Sequence, residues 1–215
     1  MHFRDRADAG RQLAAALLER HPDLRDHAPI VLGIPRGGVA VGYEVARALG
    51  APLDVLVARK LGAPGHEELA IGAVAPGGAR VLDDDLIEML GVTPEYIARV
   101  TQDELVELER RTARYRGGRP APPLGGRAAV VVDDGLATGS TARAALLAAR
   151  AGKPALLLFA APVCSPEGRD SVARLADDVV CAMTPAAFRG VGEWYRDFAQ
   201  LDDEDVMALL DASPH

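Results

Sequence analysis

The sequence predicts an α/β fold in which helices cover both faces of a parallel β-sheet. Short, continuous apolar runs, such as residues 30–34 and 129–132, are typical of strands that are buried on both faces. Each of these runs is followed by a loop and then by a segment with helical periodicity, which is the order that a parallel sheet requires. The chain of 215 residues is long enough for one such domain with an insertion.

Composition excludes several classes of protein. The chain is 49% apolar and 26% charged, as expected of a globular protein, and its formal net charge of −7 argues against a nucleic-acid partner. No apolar run reaches the length of a membrane span, and the first residues do not resemble a signal peptide, so we expect no membrane partner. We expect Cys164 and Cys181 to be buried thiols rather than a disulfide or a metal pair, which favours a cytoplasmic location.

The first elements are a helix, a strand and a second helix. Leucines at helical spacing predict a helix over residues 5–20 that covers one face or edge of the sheet. The strand at 30–34 leads through residues 35–38, Pro-Arg-Gly-Gly, into a helix over 39–49. Proline ends the strand, and the two glycines let the backbone approach another group closely. Arg36 then either binds an oxyanion or is the solvated arginine of an ordinary tight turn.

A third strand is predicted over residues 53–58 and ends in an Arg-Lys pair at 59–60. Two adjacent cations repel each other, so their position at a strand end predicts an anion nearby. Glycine and proline punctuate residues 61–70, which predicts a mobile loop. Residues 71–74 and 80–82 are expected to pair as a hairpin.

Residues 83–126 read as a helical insertion with a linker back into the core. The three acids at 83–85 are expected to cap a short helix, and a metal site is the less favoured alternative. Thr93 as N-cap and Pro94 at the first position then begin a long helix that ends near Tyr115.

The most informative stretch is residues 129–141, which combines a buried strand, two carboxylates and a loop of small residues. Asp133 and Asp134 stand at the end of the strand, and the loop offers backbone N–H groups and three hydroxyl groups at a helix N-terminus. The pattern predicts an anion site, although a strand–loop–helix connection with ordinary caps is the structural alternative. The stretch is not a Walker A loop, because it has no Gly-Lys-Ser/Thr sequence.

Two further strands are predicted, over residues 155–161 and 178–182, before an aromatic cluster and an acidic helix over 202–210. The cluster forms either a satellite core for the tail or a flat apolar slot for a planar ring. We divide the chain into a core (1–82 and 127–185), the insertion (83–126) and a C-terminal hood (186–215). Ligands of parallel sheets bind at the carboxyl ends of the strands. The charged residues at those predicted ends are Arg36, Arg59, Lys60, Asp133 and Asp134.

These residues resemble the type I phosphoribosyltransferase family. Residues 130–141 resemble that family's signature for phosphoribosyl pyrophosphate (PRPP), and residues 35–38 resemble its pyrophosphate loop. Arg59 and Lys60 resemble the start of its flexible catalytic loop, and residues 188–198 are weakly similar to the hood of its oxopurine-specific members. The resemblance covers about residues 30–185 and implies a Rossmann-like core, to which the insertion is an unusual addition.

The resemblance also implies roles for individual residues. Asp133 and Asp134 would hold the ribose hydroxyls, directly or through Mg²⁺, and Arg59 and Lys60 would neutralise the pyrophosphate. The other implied PRPP contacts are made by the pyrophosphate loop, often through a strained or cis peptide, and by the loop for the 5′-phosphate: Arg36, Gly37, Gly38, Ala137, Thr138, Gly139, Ser140 and Thr141.

The predicted activity is Mg²⁺-dependent transfer of 5-phosphoribosyl from PRPP to a purine or pyrimidine base, with release of pyrophosphate, in nucleotide salvage. The segment 61–72 would be the lid that excludes water, with His66, Glu67 or Glu68 as the candidate base unless they are only solvated loop residues. The candidates for stacking on the nucleobase are Phe188, Trp194 and Tyr195.

Two other functions stay open. One is a non-catalytic regulator that senses PRPP, and the less favoured one is a receiver-like phospho-acceptor domain, which would leave the phosphate loop unused. Family analogy suggests a homodimer, and the accepted base is not readable from the sequence.

Overall fold

The computed structural model describes residues 2–213, apart from the side chain of Glu68. Its strands are β1 (Ile30–Gly33), β2 (Leu53–Val55), β3 (Arg59–Ala63), β4 (His66–Val74), β5 (Arg80–Leu82), β6 (Ala128–Val132), β7 (Leu156–Val163) and β8 (Asp178–Met183). Its α-helices are α1 (Arg6–Arg20), α2 (Gly37–Leu49), α3 (Asp84–Leu90), α4 (Pro94–Arg116), α5 (Ser140–Ala151), α6 (Pro166–Val172) and α7 (Asp203–Asp211).

The main sheet has five strands in the order β2-β1-β6-β7-β8, and every neighbouring pair is parallel. Successive residues of the central strand β6 face opposite sides of the sheet, as the pleat requires. Val130 and Val132 pack with residues of α1 and α2, whereas Val131 packs with residues of α5. The predicted α/β fold, with helices on both faces of a parallel sheet, is therefore confirmed.

Strands β3, β4 and β5 form a second, antiparallel sheet. The predicted hairpin between 71–74 and 80–82 is confirmed by the ladder in which Gly72 pairs with Leu82. Two other predictions are wrong. The strand expected over 53–58 ends at Val55, and most of residues 61–70, expected to be a mobile loop, lie in β3 and β4.

The punctuation at 61–70 has a local explanation. Pro64 and Gly65 make the turn between β3 and β4, with a φ of 72° at Gly65, so they mark the tip of a hairpin and not the length of a loop. Leu61 and Ile71 bury their side chains in a cluster with Val92. That cluster includes residues of the insertion, which are distant in sequence. Local sequence signals therefore do not predict it.

The insertion and the tail complete the core of the main sheet. Leu108 and Tyr115 of α4 and Val206 of α7 belong to the same buried cluster as Val130. Both predicted caps are confirmed: Asp83 accepts a hydrogen bond from the Leu86 amide, and Thr93 accepts one from the Tyr96 amide. The division into core, insertion and hood remains a prediction from the sequence.

Cys164 and Cys181 form a disulfide, so the expectation of separate thiols is wrong. Cys164 directly follows β7 and Cys181 lies in β8, and these strands are neighbours in the sheet. The two cysteines are 17 residues apart in sequence, but pairing of the strands brings their Cα atoms to 6.0 Å from each other. The cysteines therefore no longer favour a cytoplasmic location. Among the described residues, no helix is both long and apolar enough to cross a membrane.

The first prediction concerns the ion pair that ties α4 to β2. Arg116 contacts both carboxylate oxygens of Asp54, at 2.8 Å for the shortest contact, and both side chains are only 15% exposed. Arg116→Ala would leave Asp54 without this partner, and we expect the free energy of unfolding in urea to fall by about 1–3 kcal/mol. The control is Arg119→Ala, whose partner Asp211 is 73% exposed, with an expected change below about 0.5 kcal/mol. Equal losses in the two variants would contradict the assignment.

Candidate active site

Three loops meet at the carboxyl end of the parallel sheet. The Ile34 amide donates to the Val132 carbonyl at 2.8 Å, and the Leu56 amide donates to the Gly33 carbonyl at 2.9 Å. The segments that leave β1, β2 and β6 are thus joined side by side. This arrangement brings the predicted pyrophosphate loop next to the predicted acid pair.

Gly37 and Gly38 lie so close to the acid pair that no larger residue fits. A Cβ on Gly37 would stand 1.8 Å from Oδ2 of Asp134, and one on Gly38 would stand 2.4 Å from the Val132 carbonyl oxygen and 2.9 Å from Cα of Asp133. The peptide between Pro35 and Arg36 is cis, as the resemblance implies. The sequence signal of two glycines after a strand therefore marks a close approach of two backbones.

Asp133 and Asp134 occupy a partly desolvated position. Burial raises the pKa of both carboxyl groups, and the neighbouring charge of Asp134 raises that of Asp133 further. Oδ1 of Asp133 accepts a hydrogen bond from the Asp134 amide at 2.9 Å, which opposes the rise. Two adjacent carboxylates that repel each other offer hard oxygen ligands, which are the ligands that suit Mg²⁺.

Arg6 of α1 is a member of the site that the sequence reading missed. Its Nε donates to Oδ2 of Asp134 at 2.8 Å, and its Nη1 donates to the Ala199 carbonyl at 2.7 Å. Its guanidinium also lies 3.9 Å from the centre of the Phe198 ring. A cation in the first turn of a helix opposes the helix dipole, so an arginine at this position was a signal that an acidic partner is near.

The loop after the acid pair is held by its carbonyl groups. The Ser165 hydroxyl donates to the Ala137 carbonyl at 2.5 Å. The Ser171 hydroxyl lies 2.7 Å from the Gly168 carbonyl and 3.2 Å from the Thr138 carbonyl, so its single proton is shared between the two or donated to Gly168. Gly139 has a φ of 84° and precedes α5. Within residues 2–213, the amides of 137–141 have no described protein acceptor, which leaves them available to an anion.

The predicted cations have partners in other elements. Arg36 Nη1 lies 3.8 Å from Oδ1 of Asp203, which also accepts a 2.6 Å hydrogen bond from the Tyr115 hydroxyl. Arg59 Nε lies 2.6 Å from Oε2 of Glu104 in α4. Lys60 is exposed on β3.

His66 and Glu67 are exposed at the start of β4, beside the hairpin turn. They border Leu90 of α3 and Tyr96 of α4, and no described contact joins them to the acid pair. The side chain of Glu68, the third candidate base, lies outside the described part of the chain.

The aromatic residues of the tail form a small cluster. Tyr195 is 6% exposed; its ring lies 5.5 Å from that of Phe3 and 4.9 Å from that of Phe198. Its hydroxyl donates to the Asp134 carbonyl at 2.6 Å, so Tyr195 supports the acid pair. Burial raises its pKa, and the Asp134 charge adds to the rise. Phe188 and Trp194 pack at the border of this cluster and are less buried than Tyr195.

The fold and the two facing loops are those of a phosphoribosyl transferase domain. Residues 4–192 match the family model described as "Phosphoribosyl transferase domain", so the chain belongs to this family.

The chain is similar to proteins from bacteria, one of which is described as a phosphoribosyl transferase. The chain is 50% identical over 212 residues to "Putative phosphoribosyl transferase Rv0571c" of Mycobacterium tuberculosis (strain ATCC 25618 / H37Rv), a match that covers 97% of this chain and 46% of the relative. The chain thus spans less than half of that protein. The crystal structure of TT1426 from Thermus thermophilus aligns over 98% of both chains, with a TM-score of 0.82 and 44% identity.

A hypoxanthine phosphoribosyltransferase from Staphylococcus aureus shares the fold at 10% identity. Its TM-score is 0.50, and the alignment covers 84% of this chain and 76% of that structure.

The second prediction concerns proton linkage at the acid pair. Mg²⁺ binds ionised carboxylates, whereas burial holds the pKa of Asp133 well above its ordinary value of 3.8. We therefore expect the affinity for Mg²⁺-PRPP to rise as pH increases from 3.8 to the raised pKa of Asp133. Over the same pH range, binding should release protons. The contribution of Asp133 to the free energy of unfolding should fall as pH rises over the same range. The reason is that a raised carboxyl pKa in the folded state means that the folded state binds the proton more tightly than the unfolded state does.

Calorimetry in two buffers of different ionisation enthalpy measures the released protons. Asp133→Asn removes the titrating group and should reduce both the release and the pH slope. A pH-independent affinity in the wild-type chain would contradict the linkage.

Proposed function

We propose that this chain transfers a 5-phosphoribosyl group from PRPP to a nitrogenous base, with Mg²⁺ as cofactor and pyrophosphate as leaving group. The observation that carries the proposal is the contact of the loop holding Gly37 and Gly38 with Asp133 and Asp134. One side of this contact offers amides and a guanidinium to an anion, and the other offers carboxylates to hydroxyls or a metal. A substrate with a ribose between two phosphate groups fits both sides.

The chemistry of the reaction explains the division of charges. Breaking the bond between C1 of the ribose and pyrophosphate leaves a sugar with oxocarbenium character and a highly charged leaving group. Asp133 and Asp134 would hold the ribose hydroxyls or Mg²⁺, while Arg36, with Arg59 and Lys60, would stabilise the leaving pyrophosphate. Mg²⁺, when bound, would add positive charge at the leaving group.

The phosphate loop would bind the 5′-phosphate. The Ala137 carbonyl is fixed by the Ser165 hydroxyl, which orients the start of the loop before a ligand arrives. The hydroxyls of Thr138, Ser140 and Thr141 lie in the same loop and helix start. This part of the site positions the ribose and takes no part in bond breaking.

The remaining roles are proposed from position in the fold and from the family. The β3–β4 hairpin would be the lid that excludes water, with His66 or Glu67 as the base that accepts the proton of the nucleophile. Trp194 and Phe188 remain the candidates for stacking on the nucleobase, because Tyr195 is enclosed in its cluster. By family analogy alone we further propose nucleotide salvage, a cytoplasmic location, which the cysteines do not support, and a homodimer.

The third prediction tests the acid pair. The double variant Asp133→Ala/Asp134→Ala should weaken Mg²⁺-dependent PRPP binding by about 100-fold or more, because hydrogen bonds to charged groups contribute about 1.5–3 kcal/mol each. Calorimetry measures the affinity, and circular dichroism verifies the fold. The matched control is Asp23→Ala/Asp211→Ala, which removes two carboxylates that are 66% and 73% exposed. Unchanged affinity in the first variant would refute the site.

The alternative function is a regulator that senses PRPP without chemistry. It is favoured by the internal ion pairs of Arg36, Arg59 and Asp134, which leave each of these charged groups with a protein partner. The two functions share the binding step and differ in the release of pyrophosphate.

The fourth prediction separates them. Incubation of the wild-type chain with PRPP, Mg²⁺ and a panel of purines and pyrimidines should release pyrophosphate with at least one base, and the Asp133→Ala/Asp134→Ala variant should release none above background. PRPP binding without release for every base would favour the regulator.

A further inference from the structure

The insertion helix α4 holds the hairpin that carries the proposed lid. Arg59 at the start of β3 pairs with Glu104, and the Tyr96 hydroxyl donates to the Gly62 carbonyl at 3.1 Å. Leu61 packs with Ile97 between these two polar contacts. The hairpin is therefore attached to α4 by one ion pair, one hydrogen bond and an apolar seam.

Arg59 starts from the same edge of the sheet as the pyrophosphate loop. The Leu56 amide is bonded to the Gly33 carbonyl, and Arg59 follows Leu56 by three residues, just as Arg36 follows Gly33. Three residues span at most about 11 Å, which bounds the distance of the Arg59 backbone from the Leu56 amide at this edge. Its guanidinium, however, is bound to Glu104 and not to any atom of the loop.

The ion pair between Arg59 and Glu104 is weak enough for a ligand to replace it. The side chains of Arg59 and Glu104 are 28% and 23% exposed, so water still screens their attraction. An attraction that water screens in this way is weak. Pyrophosphate carries several charges and accepts paired hydrogen bonds from a guanidinium, which makes it a stronger partner for Arg59 than one carboxylate.

We propose that Glu104 is the resident counter-ion of Arg59 and that the pyrophosphate group of the ligand takes Arg59 over from it. This inference rests on the proposed function and adds a role for α4: Glu104 is a positioning residue that sets how strongly the site binds pyrophosphate. Arg36, the second cation, lies 3.8 Å from Asp203, a longer contact than that of Arg59, and the nearer cation to Asp203 is Arg114 of α4 at 2.9 Å.

The fifth prediction compares two changes of equal charge on α4. Glu104→Gln removes the competitor of Arg59, whereas Glu107→Gln removes a carboxylate whose partners are Arg110 and Arg111. Calorimetry with Mg²⁺ and inorganic pyrophosphate should show about two- to fivefold tighter binding for Glu104→Gln, the range that such a pair is worth. The affinity of Glu107→Gln for pyrophosphate should match that of the wild-type chain, and ribose 5-phosphate, which lacks the pyrophosphate group, should bind all three proteins equally.

A double variant shows whether the gain acts through Arg59. In the Arg59→Ala background, Glu104→Gln should no longer tighten pyrophosphate binding. A gain that persists there, or weaker binding by Glu104→Gln alone, would overturn the inference. If the wild-type chain binds pyrophosphate and Glu104→Gln binds it equally well, only the inference fails. If the wild-type chain binds neither pyrophosphate nor PRPP, the proposed function fails together with it.

Discussion

The site depends on the contact between two backbones at the edge of the parallel sheet. The hydrogen bond from the Ile34 amide to the Val132 carbonyl continues the pairing of β1 and β6 by one residue beyond β1. The chain after Ile34 must then turn beside the acid pair, and only residues without a Cβ can do so. The two glycines are the consequence of this one approach, and it places the start of α2 beside the acid pair.

Three charged groups of this site are paired before any ligand is present, whereas the buried Asp133 has no described ion pair and its pKa is raised instead. Asp134 faces Arg6, Arg36 faces Asp203, and Arg59 faces Glu104. These partners come from α1, α7 and α4, so the elements outside the common strand–loop–helix units supply the counter-charges. An unpaired charge in a desolvated position is costly, and a fold that must stay stable without its ligand avoids that cost by internal pairing.

The parallel sheet, its order of elements and the two main loops were predictable because each depends on local signals. Apolar runs mark β1 and β6, and glycines and acids after them mark the loops. Prediction from the sequence failed where a residue's contact partner is distant along the chain. The turn at Pro64 was taken for part of a loop because the packing of Leu61 against α4 is invisible locally. The disulfide and the role of Arg6 were missed for the same reason: each joins elements that only the folded chain makes adjacent.

Residues 3–6 meet residues 194–199 behind Asp134, and this junction connects two segments that are distant in sequence to the site. Phe3 pairs with Tyr195 in a short bridge between backbones, Arg6 binds the Ala199 carbonyl, and the Tyr195 hydroxyl reaches the Asp134 carbonyl. A group that displaces Arg6 from Asp134 therefore loosens one of the attachments between these segments, and by reciprocity a looser junction exposes the carboxylate. The sole tryptophan, Trp194, lies in this junction against the His2 ring. Trp194 is thus an intrinsic fluorophore in the junction whose contacts would change when a group binds the acid pair.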